Sequence, residues 1–307
     1  MILRIFDRNP HGSDPGASAS KSATIRVIGD RASGKTTYMA ALARWPNANA
    51  NSPVQSVMSI NDEGEELVRK AQNILEQGLQ MEPTMLNSAE DLKDYSLSIV
   101  MKDQFSWRGF KSNWTSPLVT LNISCKDYAG EFFSDLLHHA GNSVLEAYLE
   151  DCVEADGLML LFDGNARKRD AEYANGVDKL LVSLDRSDIS GTKRRIAMVL
   201  TKCEVPDLWT SQHQSNPAKL AEARFPQTYR KLKSWQDIGS GQVDFFVCSA
   251  FGVLGTKYPE PNSKKITRDE YGMKSVIKDP KRWRPFGLVS PIYWLCAGQR
   301  HKDLEKD

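Results

Sequence analysis

The chain has 307 residues, enough to bury a sizeable core, and its 40% apolar and 26% charged content is ordinary for a soluble globular protein. A net charge of +1 gives no electrostatic case for nucleic-acid or membrane binding, and no apolar run reaches membrane-spanning length. The five cysteines (Cys125, Cys152, Cys203, Cys248 and Cys296) are an odd number without paired spacing and no signal-peptide core opens the chain, so they read as buried thiols of a cytoplasmic protein.

In chain order, Met1 to Phe6 suits a short strand, and Asp7 to Ser22 is a Gly/Ser/Asp/Pro-rich lead-in. Ala23 to Gly29, with Ile25, Val27 and Ile28, suits a first strand of the main domain. Lys35 to Trp45 reads as a helix that stops at Pro46, followed by a long polar stretch to Ser59. Asn61 to Gln80 places Leu67, Val68, Ala71, Ile74 and Leu75 on one helical face, with Asn61 or Asp62 as the cap and Gly78 as the stop. Tyr95 to Met101 and Val119 to Cys125 follow as strands. Ser143 and Glu146 form a capping box for a helix to Glu154. Gly157 to Phe162 is a continuous apolar run, as a central parallel strand requires. Tyr173 to Leu184 is helical, Ile196 to Leu200 is a buried strand, Asn216-Pro217 opens a helical region that Pro226 restarts, and Val243 to Cys248 is the last strand. Ser290-Pro291 caps a final helix, and residues 301–307 form a charged tail. Strands alternating with helices predict one α/β domain over residues 23–300 with a mostly parallel sheet.

Gly29-Asp30-Arg31-Ala32-Ser33-Gly34-Lys35-Thr36 fits G-x-x-x-x-G-K-[ST] at every fixed position, between a predicted strand and a predicted helix. Glycines let the backbone curl so that its N–H groups face phosphate oxygens. Lys35 would set a point charge against the β and γ phosphates, and Thr36 would offer a hydroxyl to Mg2+. The start of the helix adds its positive end. Thr37 is the next residue of that helix, a candidate second phosphate contact that reads better as a helix residue.

Three further signals each follow a predicted strand. Asp127-Tyr128-Ala129-Gly130 fits D-x-x-G, in which the acid reaches Mg2+ through water and the glycine N–H meets a γ-phosphate. Thr201-Lys202-Cys203-Glu204 approximates [NT]-K-x-D, and Ser249-Ala250 follows the last strand. In this order the motifs resemble those of a Ras-like GTPase of the translation-factor-related class, most of all the bacterial double-GTPase group. The resemblance runs from Gly29 to Ala250. It implies a P-loop three-layer α/β fold, a six-stranded sheet with one antiparallel strand, and a GTP/GDP switch that hydrolyses GTP and answers to an effector or activating protein. It assigns Gly29, Gly34, Lys35, Thr36 and Gly130 to the phosphates, Asp127 and Thr36 to Mg2+, and Thr201, Lys202, Glu204, Ser249 and Ala250 to the base. Thr84, in Glu82-Pro83-Thr84, fits the first-switch threonine on Mg2+, with Thr115 as a rival.

Several residues depart from that pattern. Glu204 stands where the family prefers Asp, and its extra carbon moves the carboxylate by up to about 1.5 Å. Adenine lacks the donor pair that an acid here would receive, so guanine remains the expected base. Glu131 occupies the place of the water-orienting Gln, which implies slow hydrolysis that needs a partner; the alternative is that it simply begins a helix. Arg31 is placed either to reach the γ-phosphate or, as preferred, to point to solvent. Asp163 ends its strand as a Walker B acid would, which keeps an ATP-using reading open beside a hydrolysis-poor, nucleotide-dependent adaptor. The segment from Gly252 to Arg284 carries nine bases against four acids and reads as a solvated basic loop or a partner surface. Trp283 and Trp294 read as core or loop anchors rather than base-stacking platforms, and His138-His139 lack metal-ligand companions.

Overall fold

Apolar runs supply the strands of the computed structural model, which describes residues 24–48, 54–77, 93–101, 120–126, 132–139, 141–186, 194–208, 216–255, 259–269 and 272–305. The strands are β1 (Thr24–Ile28), β2 (Val54–Ser59), β3 (Asp94–Met101), β4 (Thr120–Lys126), β5 (Gly157–Asp163), β6 (Arg194–Thr201) and β7 (Gly241–Val247). They form one sheet in the order β2-β3-β4-β1-β5-β6-β7. Neighbours from β4 through β7 pair parallel, while β3 pairs antiparallel with both β2 and β4. One strand therefore runs against the rest, as expected, but the central sheet has seven strands rather than six. The extra strand is β2, in the stretch that the sequence marks only as long and polar. It lies at the end of the strand order, paired only with β3 among the described residues, so its alternation is half-buried and weak.

Side chains alternate across the sheet into two cores. On one face α1 (Lys35–Ala48), α2 (Asp62–Gln77) and α8 (Ser290–Ala297) pack on Ile25, Val27, Met159 and Leu161. On the other, α3 (Phe132–His138), α4 (Ser143–Glu154), α5 (Asp170–Arg186), α6 (Pro217–Arg224) and α7 (Pro226–Asp237) pack on Ile28, Leu158, Leu160 and Phe162. The result is the three-layer α/β architecture.

Helix ends show where local chemistry decided. Asn61 caps α2 by accepting from Gly64 N at 2.9 Å, as expected. Asn142, not Ser143, caps α4: its side chain accepts from Val144 N and Leu145 N, and Ser143 is already the first helical residue. Helix α1 continues through Pro46 to Ala48 instead of stopping before the proline. Val289 precedes α8 without a side-chain cap, so Ser290-Pro291 is its first turn rather than its cap. The presumed basic loop is also built: β8 (Val253–Leu254) pairs with β9 (Glu260–Pro261), and β10 (Ser263–Asp269) pairs with β11 (Gly272–Ile277). Trp283 and Trp294 are buried in the core, as read from sequence. All five cysteines are free, and only Cys296 is not fully buried. Beyond α8 the chain folds back, with Leu304 buried and Arg300 holding Asp244 at 2.7 Å.

Candidate functional site

Parallel strands deliver their following loops to one edge of the sheet, and the loops after β1, β6 and β7 lie there. Strand β1 ends at Ile28, and the loop from Gly29 to Gly34 leads into α1 at Lys35. A Cβ on Gly29 would lie 2.6 Å from Leu161 O of β5 and 2.5 Å from Ser33 Oγ, so only glycine fits. Ala32 and Gly34 take left-handed conformations, with φ of 61° and 94°. That is the curl which turns successive amides to a common side. Lys35 folds back over the loop, and its Nζ donates to Gly29 O at 2.7 Å and Asp30 O at 3.1 Å. The ammonium is buried, so its charge acts at low dielectric beside the curled amides. Thr36 and Thr37 follow in the first turn of α1, half-buried, while Arg31 and Ala32 are exposed and Ser33 is buried.

Strand β6 brings the next cluster. Thr201 is buried, and its hydroxyl lies 2.6 Å from Ser33 O and 3.2 Å from Phe162 O. It is a strut between the phosphate loop and the sheet. Lys202 is held at a left-handed φ of 59°, and its Nζ pairs with Asp163 Oδ2 at 2.7 Å. Asp163 also accepts from Asn165 N at 2.9 Å, so both carboxylate oxygens are engaged by its own loop and by Lys202.

Glu204 is 4% exposed. Burial pushes its carboxyl above the usual carboxylate range, against the Ser249 hydroxyl that hydrogen-bonds it. Its Oε2 is buried with no hydrogen-bond partner among the described residues. Ser249 in turn accepts from Gly252 N at 2.8 Å. Cys203 N donates to Cys248 O at 3.1 Å, so the loops after β6 and β7 are tied together. Ser249 and Phe286 exchange backbone bonds of 3.0 and 3.1 Å, and Trp283 Nε1 donates to Ala250 O at 2.8 Å. The insertion after β7 thus braces the loop that carries Ser249 and Ala250.

Sequence reading set Asp30 among the phosphate-binding residues of the loop but missed what its side chain meets. Asp30 is 1% exposed. Its Oδ1 accepts from Phe133 N at 2.9 Å and its Oδ2 pairs with Arg169 at 2.8 Å. The only sequence signal was the basic run Arg167-Lys168-Arg169 just after β5, which no motif claims.

Thr84, Thr115, Asp127, Gly130 and Glu131 lie outside the described residues; β4 ends at Lys126 and α3 begins at Phe132. Among the described residues no cluster of three or more His, Cys, Asp or Glu suits a metal. A hydroxyl one residue beyond a buried ammonium, in the first turn of α1, is a hard oxygen donor of the kind Mg2+ accepts. His139 is exposed and pairs with Asp135 at 3.0 Å. No helix among the described residues is long and apolar enough to cross a membrane.

No protein-family model and no curated protein sequence matches the chain. Solved structures do. A signal recognition particle receptor SRb-GTP/SRX complex from Chaetomium thermophilum aligns at TM-score 0.42 and 12% identity, covering 77% of this chain and 94% of that one. The ADP-ribosylation-factor-like GTP-binding protein, small COPII coat GTPase SAR1, from Encephalitozoon cuniculi in complex with GDP gives 0.35 and 12%, over 75% and 70%. The GTP-bound Ski7 GTPase-like domain of S. cerevisiae gives 0.38 and 13%, over 76% of this chain and 44% of that one. Likenesses this distant carry no argument about function, and the fold rests on the strand order and register above.

Proposed function

We propose that this chain is a Mg2+-dependent GTP-binding switch that hydrolyses GTP to GDP and phosphate, slowly on its own and under the control of a protein partner. The single observation that carries the guanine reading is Glu204. A buried carboxylate bonded by Ser249 and by its own backbone N–H, with Oε2 bare among the described residues, is an acceptor awaiting donors. Guanine N1–H and the 2-amino group are such a pair, and adenine offers no equivalent. The phosphate end is supplied by the curled loop from Gly29 to Gly34 with Lys35 lying over it. Lys35 stabilises phosphate charge without moving far, since it is already inside the loop.

Thr36 would hold Mg2+, joined in this reading by Asp127 and by Thr84 in the triphosphate state. When bound, the ion would neutralise charge on the phosphate oxygens. Gly130 would meet the γ-phosphate, and Glu131 in place of a water-orienting amide is the reason for slow intrinsic turnover. Ala250 would offer its N–H to the base carbonyl, and Lys202 would flank the ring. The engagement of Asp163 by Lys202 and Asn165 favours this assignment over one with Asp163 on the metal. The test is to denature the purified protein and identify the released nucleotide, then titrate nucleotide-free protein with GTP, GDP and ATP. Guanine nucleotide with binding at least a hundredfold tighter than ATP is expected. Adenine nucleotide alone would refute the base assignment. Phosphate release over several turnovers, with and without candidate partners, separates a GTPase from a nucleotide-dependent adaptor.

A further inference from the structure

Residues 283–288 close the insertion that follows β7 and lead into α8. They bond along the loop after β7. Ser249 N donates to Phe286 O at 3.0 Å, and Phe286 N donates to Ser249 O at 3.1 Å. Trp283 is 6% exposed, and its Nε1 donates to Ala250 O at 2.8 Å. Gly252 bridges Arg284 at a left-handed φ of 72°, and a Cβ on it would run into Arg284 O. The other end of the same segment reaches α1, the helix that opens at Lys35. There Leu288 O accepts from the Tyr38 hydroxyl, and both residues are buried. Asn262 pins the arrangement from behind. It is fully buried, its N donates to Gly252 O at 3.0 Å, and its side chain exchanges bonds of 2.8 and 3.0 Å with the backbone of Asp279. One segment is thus tied both to the helix that follows the phosphate loop and to the loop that carries Ser249 and Ala250.

We infer that residues 283–288 are a strap that aims the Ala250 N–H at the base carbonyl, and so sets how tightly guanine is read and how fast the nucleotide leaves. The inference rests on the guanine-binding reading above. A peptide unit is planar and trans, so its C=O and N–H point to opposite sides. The Ser249 carbonyl and the Ala250 N–H belong to one such unit. Phe286 N holds Ser249 O on the side of the strap, so the Ala250 N–H faces away from the strap. Trp283 Nε1 fixes the next carbonyl, Ala250 O, which takes away the freedom of that unit to turn. The loop has little hold of its own. Ala250 carries only a methyl group, and the Ser249 hydroxyl is engaged by Gly252 N and Glu204. A donor already aimed before the base arrives has less ordering cost to meet on binding. Trp283 and Phe286 are thus positioning residues, acting through the loop rather than on the ligand.

The test is Trp283→Phe in the full chain, which keeps a ring in place and removes the indole N–H. Release of a fluorescent GDP analogue is followed by stopped flow, and pyrophosphate, which probes the phosphate end alone, is titrated by competition. The loss of one hydrogen bond should speed GDP release and weaken GDP binding about tenfold. Pyrophosphate affinity should stay within about twofold of wild type, because Trp283 bonds the loop after β7 and not the phosphate loop. The diphosphate of 2,6-diaminopurine riboside carries an amino group where guanine has its carbonyl. Wild type should prefer GDP over it, and Trp283→Phe should lose most of that preference. Tyr38→Phe frees the far end of the strap and should speed GDP release in the same direction by a smaller factor. Thermal melting of each variant checks folding, and the Tyr38→Phe arm decides should Trp283→Phe fail to fold. GDP release unchanged in folded variants, or equal losses for GDP and pyrophosphate, would overturn the strap while leaving the nucleotide reading intact. A wild-type protein that binds pyrophosphate but no guanine nucleotide would overturn both.

Discussion

Replacing Glu204 by Gln separates the cost of a buried charge from its use. The carboxylate is 4% exposed, it is bonded by Ser249, and Oε2 has no partner among the described residues. Hydrogen bonds to a charged acceptor contribute roughly 1.5–3 kcal/mol each. A glutamine turns one of two acceptors into a donor that opposes the base's own donors, so the loss is about 3 kcal/mol, or roughly a hundredfold in GDP affinity. The effect on the empty protein has the opposite sign. An acid whose folded pKa is raised contributes stability below its unfolded pKa and loses it as pH rises through the folded value. At neutral pH Glu204 is therefore a net burden on the nucleotide-free fold, and Glu204→Gln should melt higher than wild type when empty and lower than wild type with saturating GDP. The same shift predicts that GDP affinity falls as pH drops below the raised pKa, up to about tenfold per unit, because the base needs the ionised form. Glutamine also suits a base with a carbonyl in place of the 2-amino group, so xanthosine diphosphate should bind the variant better than wild type. The assay is fluorescence titration with paired melting curves. Guanine affinity within threefold of wild type would refute the assignment of this carboxylate to the base.

Lys35→Ala removes a buried ammonium bonded to Gly29 O and Asp30 O, and should weaken GTP and GDP binding at least a hundredfold in the same titration. Thr201→Val keeps shape but leaves Ser33 O without the 2.6 Å contact, so it should cost about 1–2 kcal/mol by urea unfolding. The same change should weaken the diphosphate and the triphosphate equally, since the strut bears on the loop itself. Glu204→Asp retracts the carboxylate by up to about 1.5 Å from the Ser249 hydroxyl that steadies it. It should therefore fail to tighten guanine binding, even though Asp completes the [NT]-K-x-D pattern.

The shape of the loop from Gly29 to Gly34 was legible because its backbone leaves few choices. The close approach of Gly29 to Leu161 O, the left-handed Gly34 and the folded-back Lys35 each demand one residue type at a fixed position. Glu204 stands out in the sequence for a similar reason, since an acid two residues beyond a strand-ending Thr-Lys has few structural uses. Strand β2 was not. Its residues Gln55, Ser56 and Ser59 are polar, and an edge strand needs only one partner and half a buried face. Its pairing with β3 at Ser59↔Leu97 and Met58↔Ser98 is a long-range fact that no local pattern carries. The cap of α4 was misplaced by one residue because Asn142 and Ser143 both favour that position, and only the bonds to Val144 N and Leu145 N decide between them.

Thr201 and Lys202 show a subtler limit. The motif alone assigns both to the base, yet the Thr201 hydroxyl is spent on Ser33 O and Phe162 O, and the Lys202 ammonium on Asp163. A residue type at a motif position says which chemistry is present, not which group receives it. The buried thiols sharpen the contrast. Cys203 and Cys248 sit beneath the same loops, and burial pushes both thiols well up, so they stay neutral and fill space. Glu204 is buried in the same layer and is likewise raised, but it keeps a bare oxygen where the thiols need none. A buried acid that no neighbour fully satisfies costs stability in the empty protein. In the proposed function the guanine base brings donors to it, which would tie the strain in the fold to binding.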